Sequence, residues 1–122
     1  MKLFFLSSIL FLLLSSGDCH KKTSSTNYKG RLEIAGMCLN YTIKLLEGNI
    51  DTSKIESHWT DEMTGKSYTN VFALANPCIF PKNIKQGDEF YFKIDTAVKQ
   101  QCITCLAYYP KPQKRLLIVV IE

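Results

Sequence analysis

The sequence predicts an all-β protein built as a small five-stranded barrel, and three observations point there. Apolar residues recur with period two in runs such as "GRLEIAG" and "EFYFKID", the pattern of strands with one face buried. The runs are rich in β-branched and aromatic residues, which suit a pleated, half-buried surface. Between them stand turn formers: Gly36, Gly48, Gly65, Asn76 with Pro77, and Gly87 with Asp88.

The first strand is expected over residues 30–36, with Leu32 and Ile34 alternating against Arg31 and Glu33. After a short connection holding Gly36 and Cys38, the second covers residues 41–48. It places Tyr41, Ile43 and Leu45 on one face and Thr42 and Lys44 on the other. The polar stretch 48–66 reads as loop, with room for one helical turn between Asp51 and Trp59. The third strand, residues 67–75, stops at Asn76 and Pro77, because proline cannot donate to a ladder. The fourth, residues 89–95, points Phe90, Phe92 and Ile94 one way and Tyr91 and Lys93 the other. The fifth, residues 115–121, contains "LLIVVI", the run of a strand covered on both sides. Five strands within residues 30–122 suggest a closed or partly open barrel of the OB-fold kind. Closure would hide the edges that such apolar strands otherwise present. A Greek-key sandwich is the rival arrangement.

The chain opens "MKLFFLSSILFLLLSSGDC". Lys2, the apolar run of residues 3–14 and the small residues Ser15, Ser16 and Gly17 form the three parts of a secretory signal peptide. The run is shorter than the ~20 apolar residues of a membrane-spanning helix. Cleavage before Asp18 would release a free exported protein. The alternative is a lipoprotein signal with Cys19 as the lipid-bearing residue, although Asp18 departs from the usual pattern before such a cysteine. Residues 1–18 are thus read as signal peptide, and residues 19–29, polar and without apolar periodicity, as a tether. The expected location is periplasmic, secreted or lipid-anchored to the bacterial envelope.

Removing 18 of 122 residues leaves 104, room for one domain and not two. A core of that size gives modest stability, so covalent staples are expected. The formal charge of +4 is spread among interleaved acids and bases. It bears on solubility and long-range attraction, not on fold.

Five cysteines leave one over in an exported chain, and lipid at Cys19 would leave an even four. In an OB-type barrel the first turn, with Cys38, and the last connection, with Cys102 and Cys105, share one end. Cys78, just past the third strand, should emerge there too. Two disulfides are expected, one from Cys38 into the CxxC and one from Cys78 to its other cysteine. A bridge from Cys38 to Cys102 would close about 65 residues and contribute about 4 kcal/mol on the chain-entropy estimate. Two alternatives remain: a four-thiolate zinc site with one CxxC knuckle, and a thiol-redox pair at Cys102 and Cys105, for which "CITCLAYYPKP" is a poor helix start. Haem attachment needs histidine after the second cysteine, where Leu106 stands.

The segment "AYYPKPQKR" offers Tyr108, Tyr109, Lys111, Lys114 and Arg115 as a candidate binding surface. Aromatics with bases suit single strands of nucleic acid, but export argues against that partner and favours an envelope or extracellular protein, peptide or glycan. The plainer reading is a solvated tip whose tyrosines pack over the disulfides. His58, Asp61 and Glu62 beside Trp59 resemble a metal or acid/base cluster, yet no second histidine-rich element completes it, and a solvated loop with a half-buried Trp is preferred. No catalytic residue, metal or cofactor is assigned. Residues 40–42 form an N-linked glycosylation sequon, relevant only in a eukaryotic source.

The succession "YKGRLEIAGMCLNYTIKLLEG", a strand ending in an Asn-Pro turn, "GDEFYFKI", a cysteine loop and an apolar last strand resembles small exported OB-fold-like proteins of bacteria. Many of these are lipoproteins of unknown function. The resemblance spans residues 28–122 and departs from the pattern at His58 and Trp59, at Cys78 and at the CxxC. It supplies no catalytic residues, and the function expected is a non-catalytic binding or accessory domain at the envelope, with a thiol-redox or zinc-dependent protein centred on Cys102 and Cys105 as the alternative.

Overall fold

The computed structural model describes residues 26–98, 105 and 108–121. The expected signal peptide, the lipidation candidate Cys19, most of the tether and Cys102 lie outside them. The described chain is all-β. Its strands are β1 (Tyr28–Gly36), β2 (Asn40–Glu47), β3 (Glu56–Thr60), β4 (Ser67–Leu74), β5 (Glu89–Ile94), β6 (Arg115–Leu116) and β7 (Ile118–Ile121), with short 3-10 turns at Met37–Leu39 and Pro77–Ile79. Among the described residues no helix is long and apolar enough to cross a membrane.

The hydrogen-bonded order is β3-β4-β2-β1-β5-β7, antiparallel along this path, with β6 paired in parallel to β4 beside it. This corrects the expected five-stranded barrel: seven strands form one sheet that is not closed into a barrel. The two additional strands have separate physical origins.

The first is β3, which falls in the stretch expected to be loop. Its sequence ESHWT has no fully buried position, so it carries no apolar alternation. Its hairpin with β4 is made by the turn instead. Asp61 donates its backbone N–H to the Lys66 carbonyl (2.9 Å), accepts from the Gly65 N–H (2.7 Å), and binds the Met63 N–H through its side chain (2.9 Å). Trp59 then lies opposite Tyr68, and their rings stack at 5.6 Å.

The second arises because the expected last strand breaks at Leu117. Before the break, the Leu116 carbonyl accepts from Ala75 N–H (2.9 Å) on the β4 side. At the break, the Leu117 carbonyl accepts from Asp95 N–H (3.0 Å) on the β5 side. The strand thus changes partners in one residue, and Ile118 would lose its bonds toward β4. Asn76 supplies them. Its buried amide donates to the Ile118 carbonyl (2.7 Å) and accepts the Ile118 N–H (3.1 Å).

The core lies between the ladders. Phe72, Phe92, Leu32, Ile43 and Ile118 are its largest fully buried apolar side chains. Phe92 packs at 5.8 Å from Phe72 and 5.9 Å from Phe90, which meets Phe80 edge-on at 5.3 Å. The alternation expected of β5 holds: Phe90 and Phe92 are buried, Tyr91 and Lys93 exposed. Gly30 lets this cluster close, since a Cβ there would come within 2.9 Å of the Phe92 ring. β1 begins at Tyr28, inside the expected tether, where Tyr28 pairs with Phe92 and stacks on its ring.

β1 and β2 carry one irregularity that matters for the site. Leu32 opposes Ile43, but Ile34 opposes Thr42, so Glu33 is an extra residue, a β-bulge. Beyond it Ile34 and Gly36 share the face of Thr42, opposite Ile43. Thr42, expected on an outward face, is 1% exposed, and its hydroxyl has no hydrogen-bond partner among the described residues.

Two opposite substitutions test this polar accounting. Thr42→Val removes an unsatisfied buried hydroxyl with little change of shape and should raise the unfolding free energy by about 1 kcal/mol. Asn76→Ala strands the N–H and carbonyl of Ile118 and should lower it by about 2–5 kcal/mol. Urea unfolding of both variants measures the two signs.

Candidate functional site

The site begins at the β1–β2 turn. Cys38 (φ 59°) and Leu39 (φ 62°) are both left-handed, and the turn closes through the Asn40 N–H on the Met37 carbonyl. The Asn40 side chain adds a second bond to the same carbonyl (2.9 Å). Two positive φ values define a tight turn whose twist matches that of a hairpin, normally built from Asn and Gly. Residues with a Cβ adopt it at roughly 1–2 kcal/mol each. What holds it is covalent: Cys38 is disulfide-bonded to Cys105, 67 residues away, with 5.5 Å between Cα atoms.

The first turn and the last connection therefore share one end of the molecule, as topology required. Of the two CxxC sulfurs it is that of Cys105, not Cys102, that joins Cys38. Cys78 is also disulfide-bonded. It lies in the Pro77–Ile79 turn and borders, with Leu39, Tyr41 and Phe80, a hollow of about 220 Å³ at the same end.

From this rim the chain returns to the sheet as an extended arm, residues 108–114. Its tie to the hairpin is steric as well as polar. The Tyr109 ring occupies the space above Gly36, where a Cβ would come within 2.5 Å of it. Pro110 and Pro112 are buried. Lys111 Nζ donates to Asn40 Oδ1 (3.4 Å), and the Lys114 carbonyl accepts from Ala73 N–H (2.9 Å), leading the arm into β6.

Between the arm and β3 runs an open cleft of about 650 Å³. Tyr108, Tyr109, Lys111 and Arg115 line one wall, Glu56, Trp59 and Glu62 the other, and Asn40, Tyr41 and Leu74 lie among its remaining borders. Across it the Tyr108 hydroxyl, on a ring that is 79% exposed, donates to the Glu62 carboxylate, joining arm to hairpin. That hydrogen bond holds the Tyr108 phenol above its ordinary pKa, reinforced by the charges of Glu62 and Asp61. The Tyr68 phenol is raised as well, first by burial and then by the negative charges of Asp61 and Glu33.

Of the sequence-derived surface candidates, Tyr108, Tyr109, Lys111 and Arg115 border the cleft. Lys114 does not: its ammonium reaches the Thr52 carbonyl at 3.1 Å. His58, Asp61 and Glu62 have three separate fates. His58 is exposed on β3, Asp61 is buried in the turn, and Glu62 faces the cleft. Among the described residues no group of three or more His, Cys, Asp or Glu side chains is placed to hold a metal. Trp59, Glu56 and Asn40 escape sequence reasoning as cleft residues. A lone Trp in a polar stretch was the available signal.

The sequence matches no protein-family model, and neither curated proteins nor solved structures yield a match.

Paired replacement Cys38→Ser with Cys105→Ser should cost about 2–4 kcal/mol in denaturant unfolding, since a long loop in the unfolded chain is released. A spectrophotometric titration checks the strap. With its folded pKa raised, Tyr108 contributes stability that is complete below its ordinary pKa, about 10, and is lost as pH climbs through the raised value. Tyr108→Phe should remove one late-titrating phenol and that alkaline loss.

Proposed function

We propose that this chain is a non-catalytic binding or accessory module of the bacterial cell envelope, exported by residues 1–18. It is then either freed before Asp18 or held by lipid at Cys19. Its body is OB-fold-like. Supporting this, β6 and β7 are one segment interrupted only at Leu117, bonded to β4 on one side and β5 on the other. With β3 as an insertion, five strands remain, in a partly open arrangement.

The observation that carries the binding reading is the cleft. OB-type barrels take ligands against the second and third strands, between the first turn and the last connection. The cleft has that location, bordered by β2, by the end of β4, by the Cys38 turn and by the arm after Cys105. Its volume falls in the ~300–1,000 Å³ range of ligand sites.

A thiol-redox role is less well supported. A CxxC redox pair closes on itself, whereas Cys105 is committed to Cys38. In this reading Cys78 joins Cys102, so both sulfurs of the motif serve as braces. The partner is an envelope or extracellular protein, peptide or glycan, not nucleic acid.

Intact mass after alkylation without reductant should show no modification of Cys38, Cys78, Cys102 or Cys105. Reductant should lower the melting temperature, and the protein should not accelerate insulin reduction. Immobilised oxidised protein should retain a component of envelope extract that a Trp59→Ala, Arg115→Ala variant of equal melting temperature does not. Free thiols at those positions in the folded protein, or catalysed insulin reduction, overturn the proposal.

A further inference from the structure

The chemistry of the cleft points further, and this step rests on its being a binding site. We infer that the cleft takes a short, uncharged oligosaccharide. Its charges cancel: Glu56 and Glu62 on one wall face Lys111 and Arg115 on the other. A polyanion such as nucleic acid needs a row of cations without opposing carboxylates, and a polycation needs the reverse. Neither is favoured here.

What the walls do offer is a mixture of fixed donors and acceptors. Lys111 is tied to Asn40, and Tyr108 to Glu62, so these polar groups hold each other in place while keeping unused bonding capacity. Gln113 adds an amide. Sugar hydroxyls both donate and accept, and such planar amide, carboxylate and guanidinium groups meet them in pairs.

The aromatic residues supply the other half. A sugar ring presents axial C–H bonds on one face, which rest on the electron-rich face of an aromatic ring. Trp59 is half-buried on the cleft wall and steadied by its stack on Tyr68, so its indole is ordered before any ligand arrives. Tyr108, largely exposed on the opposite wall, gives a second ring. An aromatic ring on each wall, with polar groups also bordering the cleft, suits flat, hydroxyl-rich rings. An extended peptide would instead call for a row of apolar side-chain pockets beside a bare strand edge, and β3 places Glu56 and His58 along that edge.

Trp59 is the chain's single Trp, so its emission reports on the cleft directly. The oxidised, full-length mature chain is titrated with neutral hexasaccharides of glucose, xylose, mannose and N-acetylglucosamine. A heparin hexasaccharide, an oligothymidylate and a pool of extended peptides are run beside them. Saturable change in Trp59 emission with at least one neutral sugar is expected. By calorimetry at a temperature where circular dichroism shows both variants folded, Trp59→Ala and Tyr108→Ala should each weaken that binding about tenfold, the scale of one aromatic contact.

Saturation only by heparin, oligothymidylate or peptide refutes the sugar and preserves the binding module. Sugar binding untouched by both substitutions refutes the cleft as its location. Silence from every probe refutes the sugar, and it refutes the module as well if retention from envelope extract is also absent.

Discussion

One buried amide holds the architecture together. Where the terminal strand crosses from β4 to β5, the sheet has no backbone to offer Ile118 on the β4 side, and Asn76 takes that place with both ends of its side chain. Buried backbone groups without partners are costly, so a strand could not change ladders there unaided. Everything downstream of this exchange depends on it. β6 stays on β4, the arm arrives in register through the Lys114 carbonyl, and the wall that carries Tyr108 and Tyr109 faces β3. The disulfide at Cys105 fixes the other end. A segment with no ladder of its own is thus clamped at both termini.

The clamp at the cysteine end opposes a local cost. Left-handed Cys38 and Leu39 together oppose folding by roughly 2–4 kcal/mol. A cross-link spanning 67 residues stabilises by about 4 kcal/mol through the unfolded state. The two terms are comparable, so the bridge offsets the strain of its own turn and leaves a modest net gain. Against a total of about 5–15 kcal/mol for a domain, this places the turn near the limit of what a small core tolerates.

Much of this was legible beforehand, and the exceptions have physical reasons. Period-two alternation located β1, β2 and β5, aromatic and β-branched richness located β4, which is buried on both faces from Val71 to Leu74, and topology brought Cys38 to the CxxC loop. β3 was illegible, since a strand with neither face fully buried leaves no hydrophobic signature. The break at Leu117 was hidden inside a uniformly apolar run, where a change of partner alters no residue type. Asn76 read as a strand stop and is one, yet nothing local announced its bond to a residue 42 positions away. The cleft was half visible for the same cause: the arm wall follows from aromatic and basic residues in one loop, whereas the Trp59 wall required knowing that β3 exists. Lys114 was misplaced because nothing local announces the Thr52 carbonyl, 62 positions away, that takes its ammonium.

The Glu33 bulge acts on the chain as a frameshift acts on a message. Before it, β1 spells out core positions: Leu32 meets Ile43. After it the parity is inverted, and the residue that arrives beneath the Tyr109 ring is Gly36, the one type without a side chain to obstruct it. A single inserted residue thereby lets one strand belong to the hydrophobic interior along its first half and to the seat of the arm along its second. Length variation in β1 is for that reason a different matter from length variation in the loop before β3, where an added residue would change reach but not phase.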